Sequence, residues 1–345
     1  MLQLEPVVER TQLLDPAGNR AEQVIEHRRD PLTGAVASIN LALGEKARAF
    51  LGTTDLQVLR DLQERSRAGC PFCSAAEKGT RFLPEFVPEG QLRVGSSLAM
   101  PNLFSKCTFD SVVILDQALH ELFPSRIPPA SLASAIRVAV ELVRRARAHD
   151  PALVHHAAGM NFLQPGGSSV PHPHFQVHVR SVPYSGLARL LRLSDDFRER
   201  SGRCYWDALL ETEARLGARR VGRTGRVEWL VPWAPARQKE VWGLVPGAAS
   251  LVELADGDAE GLAQGIARVI SLYEESGTHP FTLAFLSSPA PGRAGSFLLQ
   301  VRLSSRPALK PLYSNYDTWF APLFLGDDAQ TEAPEAWAAR LRERF

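Results

Sequence analysis

Pro171-His172-Pro173-His174-Phe175-Gln176-Val177-His178 is the stretch on which the reading of this chain turns. Side chains on a β-strand alternate between faces. In an extended segment His172, His174, Gln176 and His178 therefore share one face, while Phe175 and Val177 take the other. That face offers a metal ligand, a nucleophile and polar groups able to hold an anion. A single histidine in a strand is more often a surface or satisfied core residue than a catalyst, but three on one face argue for chemistry. Upstream, Asn161 precedes Gly166-Gly167-Ser168-Ser169, a turn whose backbone N–H groups could cradle phosphate.

Outside this stretch the composition is that of an ordinary globular protein: 345 residues, 45% hydrophobic and 22% charged. A net charge of +1 gives no electrostatic case for nucleic acid or an acidic membrane surface. No apolar run approaches the roughly 20 residues of a membrane span. Met1-Leu2-Gln3-Leu4-Glu5 lacks the basic and apolar regions of a signal peptide. Four cysteines, two of them in Cys70-Pro71-Phe72-Cys73, argue against a disulfide framework, so a cytoplasmic protein is expected. The Cys-x-x-Cys pair reads as a metal knuckle or as a redox motif, and no thioredoxin-like βαβ pattern surrounds it.

An internal repeat organises the chain. Val112–Leu115 reads as a strand, followed by a helix with an apolar stripe at Leu132, Ile136, Ala139, Val140 and Val143. Val241–Leu244 and Leu262, Ile266, Val269, Ile270 and Tyr273 repeat the pattern at the same helical spacing. Aligning the closing prolines Pro183 and Pro307 lays His174 on Leu298, Gln176 on Gln300 and His178 on Arg302. The second copy has kept the scaffold and lost the histidines. The expected divisions are residues 1–189, a helical link over 190–226, and a degenerate copy over 227–345.

Asn161, the glycine-rich turn, Ser169 and His172-Pro173-His174-Phe175-Gln176 resemble the signature of galactose-1-phosphate uridylyltransferases, the third branch of the histidine-triad superfamily. The resemblance implies an α+β fold of two tandem histidine-triad-like halves, each an antiparallel sheet with packing helices. It implies that His174 takes a nucleoside monophosphate onto its ring, that Gln176 bonds the phosphoryl oxygens, and that Asn161, Gly167, Ser168 and Ser169 contact phosphate. It also supplies the ligands the cysteines need: Cys70, Cys73, His120 and His172 would form one closed structural zinc site. His27-Arg28-Arg29-Asp30-Pro31-Leu32-Thr33-Gly34 is similar to the family's N-terminal motif and adds Arg28 and Arg29 as substrate-binding residues. Lys46 and Arg48 are candidates for the phosphate-binding basic residues that follow it in the family, with a small insertion between, and Asn102-Leu103-Phe104 resembles the base-lining segment.

Departures from the pattern fall on specificity. Leu103 stands where the family has Asp, and Phe175 where it has a small residue. Gln300-Val301-Arg302 replaces a His-x-His, and Pro246-Gly247-Ala248-Ala249 replaces a Pro-Lys-x-His, so a second metal site is expected to be absent. Tyr316, Asp317 and Trp319 are candidates for sugar contact. The activity so implied is nucleotidyl transfer between a nucleoside diphosphate sugar and a sugar 1-phosphate, in a homodimer. A phosphorylase of nucleotide sugars or dinucleoside polyphosphates, using the same histidine, and a non-catalytic nucleotide-binding protein are the alternatives.

Overall fold

The computed structural model describes residues 2–46, 52–289, 292–293, 295–312 and 317–345. Its strands are β1 (Val7–Leu14), β2 (Arg20–Arg29), β3 (Val36–Ile39), β4 (Leu92–Val94), β5 (Ser97–Pro101), β6 (Phe109–Ile114), β7 (His155–Phe162) and β8 (His174–Arg180). They continue with β9 (Arg220–Thr224), β10 (Val227–Leu230), β11 (Val241–Val245), β12 (Phe281–Leu286), β13 (Leu299–Ser305) and β14 (Asp328–Gln330). The helices are α1 (Ala42–Lys46), α2 (Leu56–Arg67), α3 (Ala75–Lys78), α4 (Pro129–His149), α5 (Ser185–Ser201), α6 (Tyr205–Leu216), α7 (Asp256–Glu275) and α8 (Pro334–Arg342). The class is α+β, as the sequence implies. No helix among the described residues is long and apolar enough to cross a membrane.

Ten strands form one antiparallel sheet in the order β4-β5-β6-β8-β7-β12-β13-β11-β10-β9. The order read inward from β4 repeats that read inward from β9, and the two copies join edge to edge where β7 pairs β12. Register carries the repeat down to single residues. Adding 130 to every number turns Leu92↔Ala99 into Gly222↔Trp229, and Leu98↔Ile114 into Glu228↔Leu244. The same shift relates the buried stripes of α4 and α7, which pack together. Each helix has a local reason for its start. Pro128 and Pro129 open α4, whereas Asp256 and Asp258 sit in the first turn of α7, facing its dipole.

Following the ladder further corrects the alignment made on the prolines. Val112↔Gln176 on β6 and β8 corresponds to Trp242↔Arg302 on β11 and β13. Arg302 thus stands in the place of Gln176, and Gln300 in that of His174, two residues from the proline-based pairing. A proline marks where a strand ends, whereas backbone pairing sets its register. The outermost strand of the second copy, β9, begins at Arg220, inside the segment read from sequence as a link. That segment also holds the end of α5 and all of α6.

A second sheet, β1-β2-β3-β14, joins the chain's two ends through a parallel β3–β14 pair. An ion-pair network extends this tie: Arg28 bonds Glu335 of α8 at 2.7 Å and stacks on Trp233, and Arg219 bonds the same Glu335 at 2.8 Å. The local sequence says little of this sheet, because β1 is exposed throughout and β3 and β14 have only 4 and 3 residues.

Candidate active site

β8 presents the site, and the alternation in its sequence does the sorting. Phe175, Val177 and Val179 are buried in the core, while His174, Gln176, His178 and Arg180 face the other way. His174 is 7% exposed. Its Nδ1 lies 2.7 Å from the carbonyl oxygen of His172, an atom that can only accept. Nδ1 therefore carries the proton, and Nε2 keeps its lone pair. Burial pushes His174 below the usual histidine range and the His172 carbonyl opposes this, so the ring is neutral at pH 7. Phe72 packs edge-on against it with ring centroids 4.9 Å apart.

Phe72 belongs to the knuckle that follows α2 and packs beside Met100, Val112 and Ile114. Cys70, Cys73, His120 and His172 bring their ligand atoms within 4.8 Å of one another. The Sγ atoms of Cys70 and Cys73 each lie 3.6 Å from His172 Nδ1; Cys73 Sγ is 3.4 Å from His120 Nδ1, and the two Nδ1 atoms are 3.3 Å apart. Around a tetrahedral zinc, bond lengths of about 2.3 Å to sulfur and 2.0–2.1 Å to nitrogen give S···N edges of about 3.5 Å and N···N edges of about 3.3 Å. The observed spacings match those edges.

The far nitrogens are already committed. His172 Nε2 donates to the Asp116 carbonyl at 2.9 Å, and His120 Nε2 pairs with Ser66 Oγ at 2.8 Å. His172 Nδ1 therefore turns its lone pair to the centre; Ser66 Oγ donates to Gln63 O at 3.4 Å, which leaves His120 Nε2 to donate and its Nδ1 lone pair to face inward too, the arrangement a metal needs. Burial, followed by the neighbouring Cys70, pushes the Cys73 thiol up to about 11. A buried and a half-buried sulfur with two facing lone pairs make sense around a cation and poorly without one.

The turn before β8 is tightly built. Gly166, Gly167 and Ser168 spend their N–H groups on the carbonyls of Leu163 and Gln164 at 2.8–3.0 Å, so these amides are not free to cradle phosphate as the sequence suggested. A Cβ on Gly166 would meet the Phe281 carbonyl oxygen at 2.6 Å, and Gly167 has φ +89°. Leu163 is held at φ 62°, ψ 167°, a conformation costly to a side-chain-bearing residue. Ser168 is buried and donates to Val170 O at 2.8 Å, whereas Ser169 is exposed. Asn161 lies two residues past Gly159 on the same face of β7, and Gly159 pairs with Gln176.

His178 leads outward from this centre. Its Nδ1 is 2.8 Å from Tyr184 Oη and its Nε2 3.5 Å from Asp110 Oδ1. The buried Asp110 accepts from Asn102 Nδ2 at 3.1 Å and from Lys106 N at 2.9 Å. It thereby fixes the loop that exposes Leu103 and Phe104, at 73% and 81%. Asn102 thus shapes the loop, since its Oδ1 also accepts from Phe104 N. Arg28 and Arg29 have partners of their own: Arg28 bonds Glu335 and Glu26, and Arg29 Nη1 donates to the Gly34 carbonyl at 2.9 Å. Arg48, Tyr316 and the side chain of Lys46 lie outside the described residues.

Sequence reasoning missed a cavity of about 380 Å³ on the same face of the sheet, lined by Glu240, Thr282, Arg302, Arg306 and Asp317 among others. A single row of paired residues, Gln176–Gly159–Ala284–Arg302, runs from the His174 strand to its lining. Adjacent strands lie about 4.8 Å apart, so the row spans about 14 Å. Its two middle members are too small to block it. Arg302 donates twice to Gln300 Oε1 and stacks 3.9 Å from the Trp242 ring centre. The signal in the sequence is the alternation along β13, where Gln300, Arg302 and Ser304 interrupt an apolar strand every second residue.

A ten-stranded sheet made of two repeated halves, with His-Pro-His on a central strand beside a Cys₂His₂ cluster, defines the class. The chain has the galactose-1-phosphate uridylyltransferase-like fold in divergent form. It superposes on an ADP-glucose phosphorylase from Arabidopsis thaliana with bound ADP-glucose at a TM-score of 0.69 and 17% identity, covering 92% of this chain and 99% of that one. A uridylyltransferase superposes at a TM-score of 0.67 and 20% identity, with 92% and 97% covered. By sequence, the chain is 27% identical over 331 residues to an uncharacterized protein of Archaeoglobus fulgidus, covering 94% of each. No family model matches the chain.

Proposed function

We propose that this protein is a nucleotidylyltransferase that carries a nucleoside monophosphate on His174 between a nucleoside diphosphate sugar and a sugar 1-phosphate. The observation that carries the reading is the His174 ring, neutral, with Nδ1 held by the His172 carbonyl and Nε2 free. Nε2 attacks the α-phosphorus, an N–P bond forms, and the bond to the bridging oxygen breaks. The leaving group departs as a sugar phosphate anion, and an acceptor phosphate oxygen later displaces the histidine. Neither step requires a proton transfer, because both exchanged groups are phosphates. That chemistry fits a glutamine at 176, which can bond phosphoryl oxygens but cannot act as an acid.

Cys70, Cys73, His120 and His172 would hold one zinc ion, whose contribution is structural: pinning His172 fixes the carbonyl that orients His174. Ser169 and Asn161 would contact the phosphates, and the loop bearing Leu103 and Phe104 would cover the base. The distal part of the donor would cross Gly159 and Ala284 into the cavity at Arg302, Arg306 and Asp317. The name of the Arabidopsis phosphorylase makes ADP-glucose the first donor to try, with inorganic phosphate tested beside sugar 1-phosphates as acceptor. The protein would act as a homodimer. Initial-rate kinetics test the mechanism: parallel double-reciprocal lines are expected, with turnover abolished in His174→Asn, whereas intersecting lines would exclude a route in which the first product leaves before the acceptor binds.

A further inference from the structure

A second cavity, of about 330 Å³, shares no lining residue with the one at Arg302 among the described residues. Its size falls within the range of about 300–1,000 Å³ usual for small-molecule sites. One wall is a stripe of α5 at helical spacing, Leu187, Ala188 and Leu191, led by Tyr184 at the helix N-cap. The facing wall holds His155, the first residue of β7, and Arg293 from the segment after β12. His155 pairs with Arg180, which shares the face of His174 and stands six residues beyond it, about 20 Å along β8. The cavity therefore opens on the catalytic face, away from the row that leads to Arg302.

The floor is apolar and the rim is cationic. Arg192, one turn on from Ala188, lines the cavity and makes no hydrogen bond or ion pair among the described residues. Arg293 pairs with Asp195, also on the rim. Arg180 lies behind, 3.5 Å from the Tyr184 ring centre, with its buried Nε unpartnered among the described residues. The His155 ring likewise makes no hydrogen bond among them. Burial, followed by the charges of Arg180 and Arg293, pushes His155 below the usual histidine range. With that ring neutral, three guanidinium groups less one carboxylate leave two positive charges about an apolar floor. Like charges so gathered repel one another unless an anion completes the group.

We propose that this cavity binds a small phosphate monoester, with the phosphate on Arg192, Arg293 and His155 and the organic group on Leu187, Ala188 and Leu191. Two negative charges match the two positive ones, which selects a phosphate monoester over a carboxylate, and guanidinium forks suit phosphoryl oxygens. The apolar wall selects an ester over inorganic phosphate. The ligand packs against Tyr184, whose Oη lies 2.8 Å from His178 Nδ1. The site is separate from the chemistry at His174 and does not depend on it.

Calorimetric titration of the full chain with phenyl phosphate, and with inorganic phosphate beside it, tests the site. Phenyl phosphate is expected to bind the more tightly, and the double variant Arg192→Gln, Arg293→Gln to weaken it more than about tenfold. Ala188→Trp keeps both arginines, fills the apolar floor, and is expected to abolish the same binding. The melting temperature is the control for folding in each variant. Phenyl phosphate held at the His174 site would be indifferent to both changes, so an affinity that neither variant alters overturns the proposal. Inorganic phosphate bound as tightly as phenyl phosphate overturns the ester, and no binding of either probe overturns the site.

Discussion

Acidification should weaken this protein through one residue in particular. His156 lies on the core side of β7, 1% exposed, at the seam between the two halves of the large sheet. Its Nδ1 donates to Val154 O at 3.2 Å, leaving Nε2 to accept from Ser287 Oγ at 2.7 Å and Ser250 Oγ at 3.1 Å. Burial pushes it down from 6.5 to about 4, the Val154 carbonyl opposing. The unfolded chain, with the ordinary value, therefore takes up the proton first as pH falls. The stability that depends on a neutral His156 is present in full above about pH 6.5, shrinks as pH drops, and is gone near pH 4. The two values give a loss of about 2 kcal/mol at pH 5 and about 3 kcal/mol at pH 4. Urea unfolding at pH 7.5, 6, 5 and 4 should be compared between the protein and His156→Gln, which has nothing to protonate. Other histidines and the metal site are common to both, so the difference between the curves isolates His156. The stability advantage of the native residue should decline by those amounts, and a pH-independent difference would refute the argument.

Three further outcomes are expected. Cys70→Ser should abolish a bound zinc, read by metal analysis at about one equivalent in the parent, and lower the melting temperature on the order of 10 °C; unchanged metal content would remove the Cys₂His₂ assignment. Ala284→Trp places a large ring on an exposed floor position between Gln176 and Arg302, and should raise KM for a nucleotide sugar more than about tenfold, on the order of 1.4 kcal/mol of binding, with the melting temperature unchanged. Normal kinetics there would mean the donor does not cross into the cavity. Asp110→Ala removes the acceptor that holds Asn102 and Lys106, and should raise KM for the nucleotide about tenfold with little change in kcat; a fall in kcat alone would separate the Leu103–Phe104 loop from base binding.

What the sequence made legible follows from how local each signal is. His174 and Gln176 were readable because alternation along one strand is a property of eight consecutive residues, and the geometry keeps them on one face. The metal cluster needed partners distant in sequence, and resemblance supplied His120 and His172, which the fold brings to Cys70 and Cys73. The helix repeat could be seen as an apolar stripe, but register could not, since two prolines do not specify a backbone ladder. The spent amides of Gly166, Gly167 and Ser168 were invisible for the same reason: a glycine-rich turn shows that the chain bends, not where its N–H groups point. Arg28 had the charge for phosphate, yet Glu335, more than three hundred residues later in the chain, takes its guanidinium. The cavity at Arg302 required β12 and β13 to be set beside loop residues as distant in the chain as Arg237 and Pro322.

The most direct test is the intact mass of the zinc-loaded protein after brief mixing with ADP-glucose, UDP-glucose, UDP-galactose and a diadenosine polyphosphate in turn. The account predicts an acid-labile adduct of AMP or UMP from at least one donor, mapped by peptide analysis to His174 and missing in His174→Asn. An adduct on another residue, an adduct that persists in His174→Asn, or a folded and metal-loaded protein that takes no nucleotidyl group from any of them would contradict it.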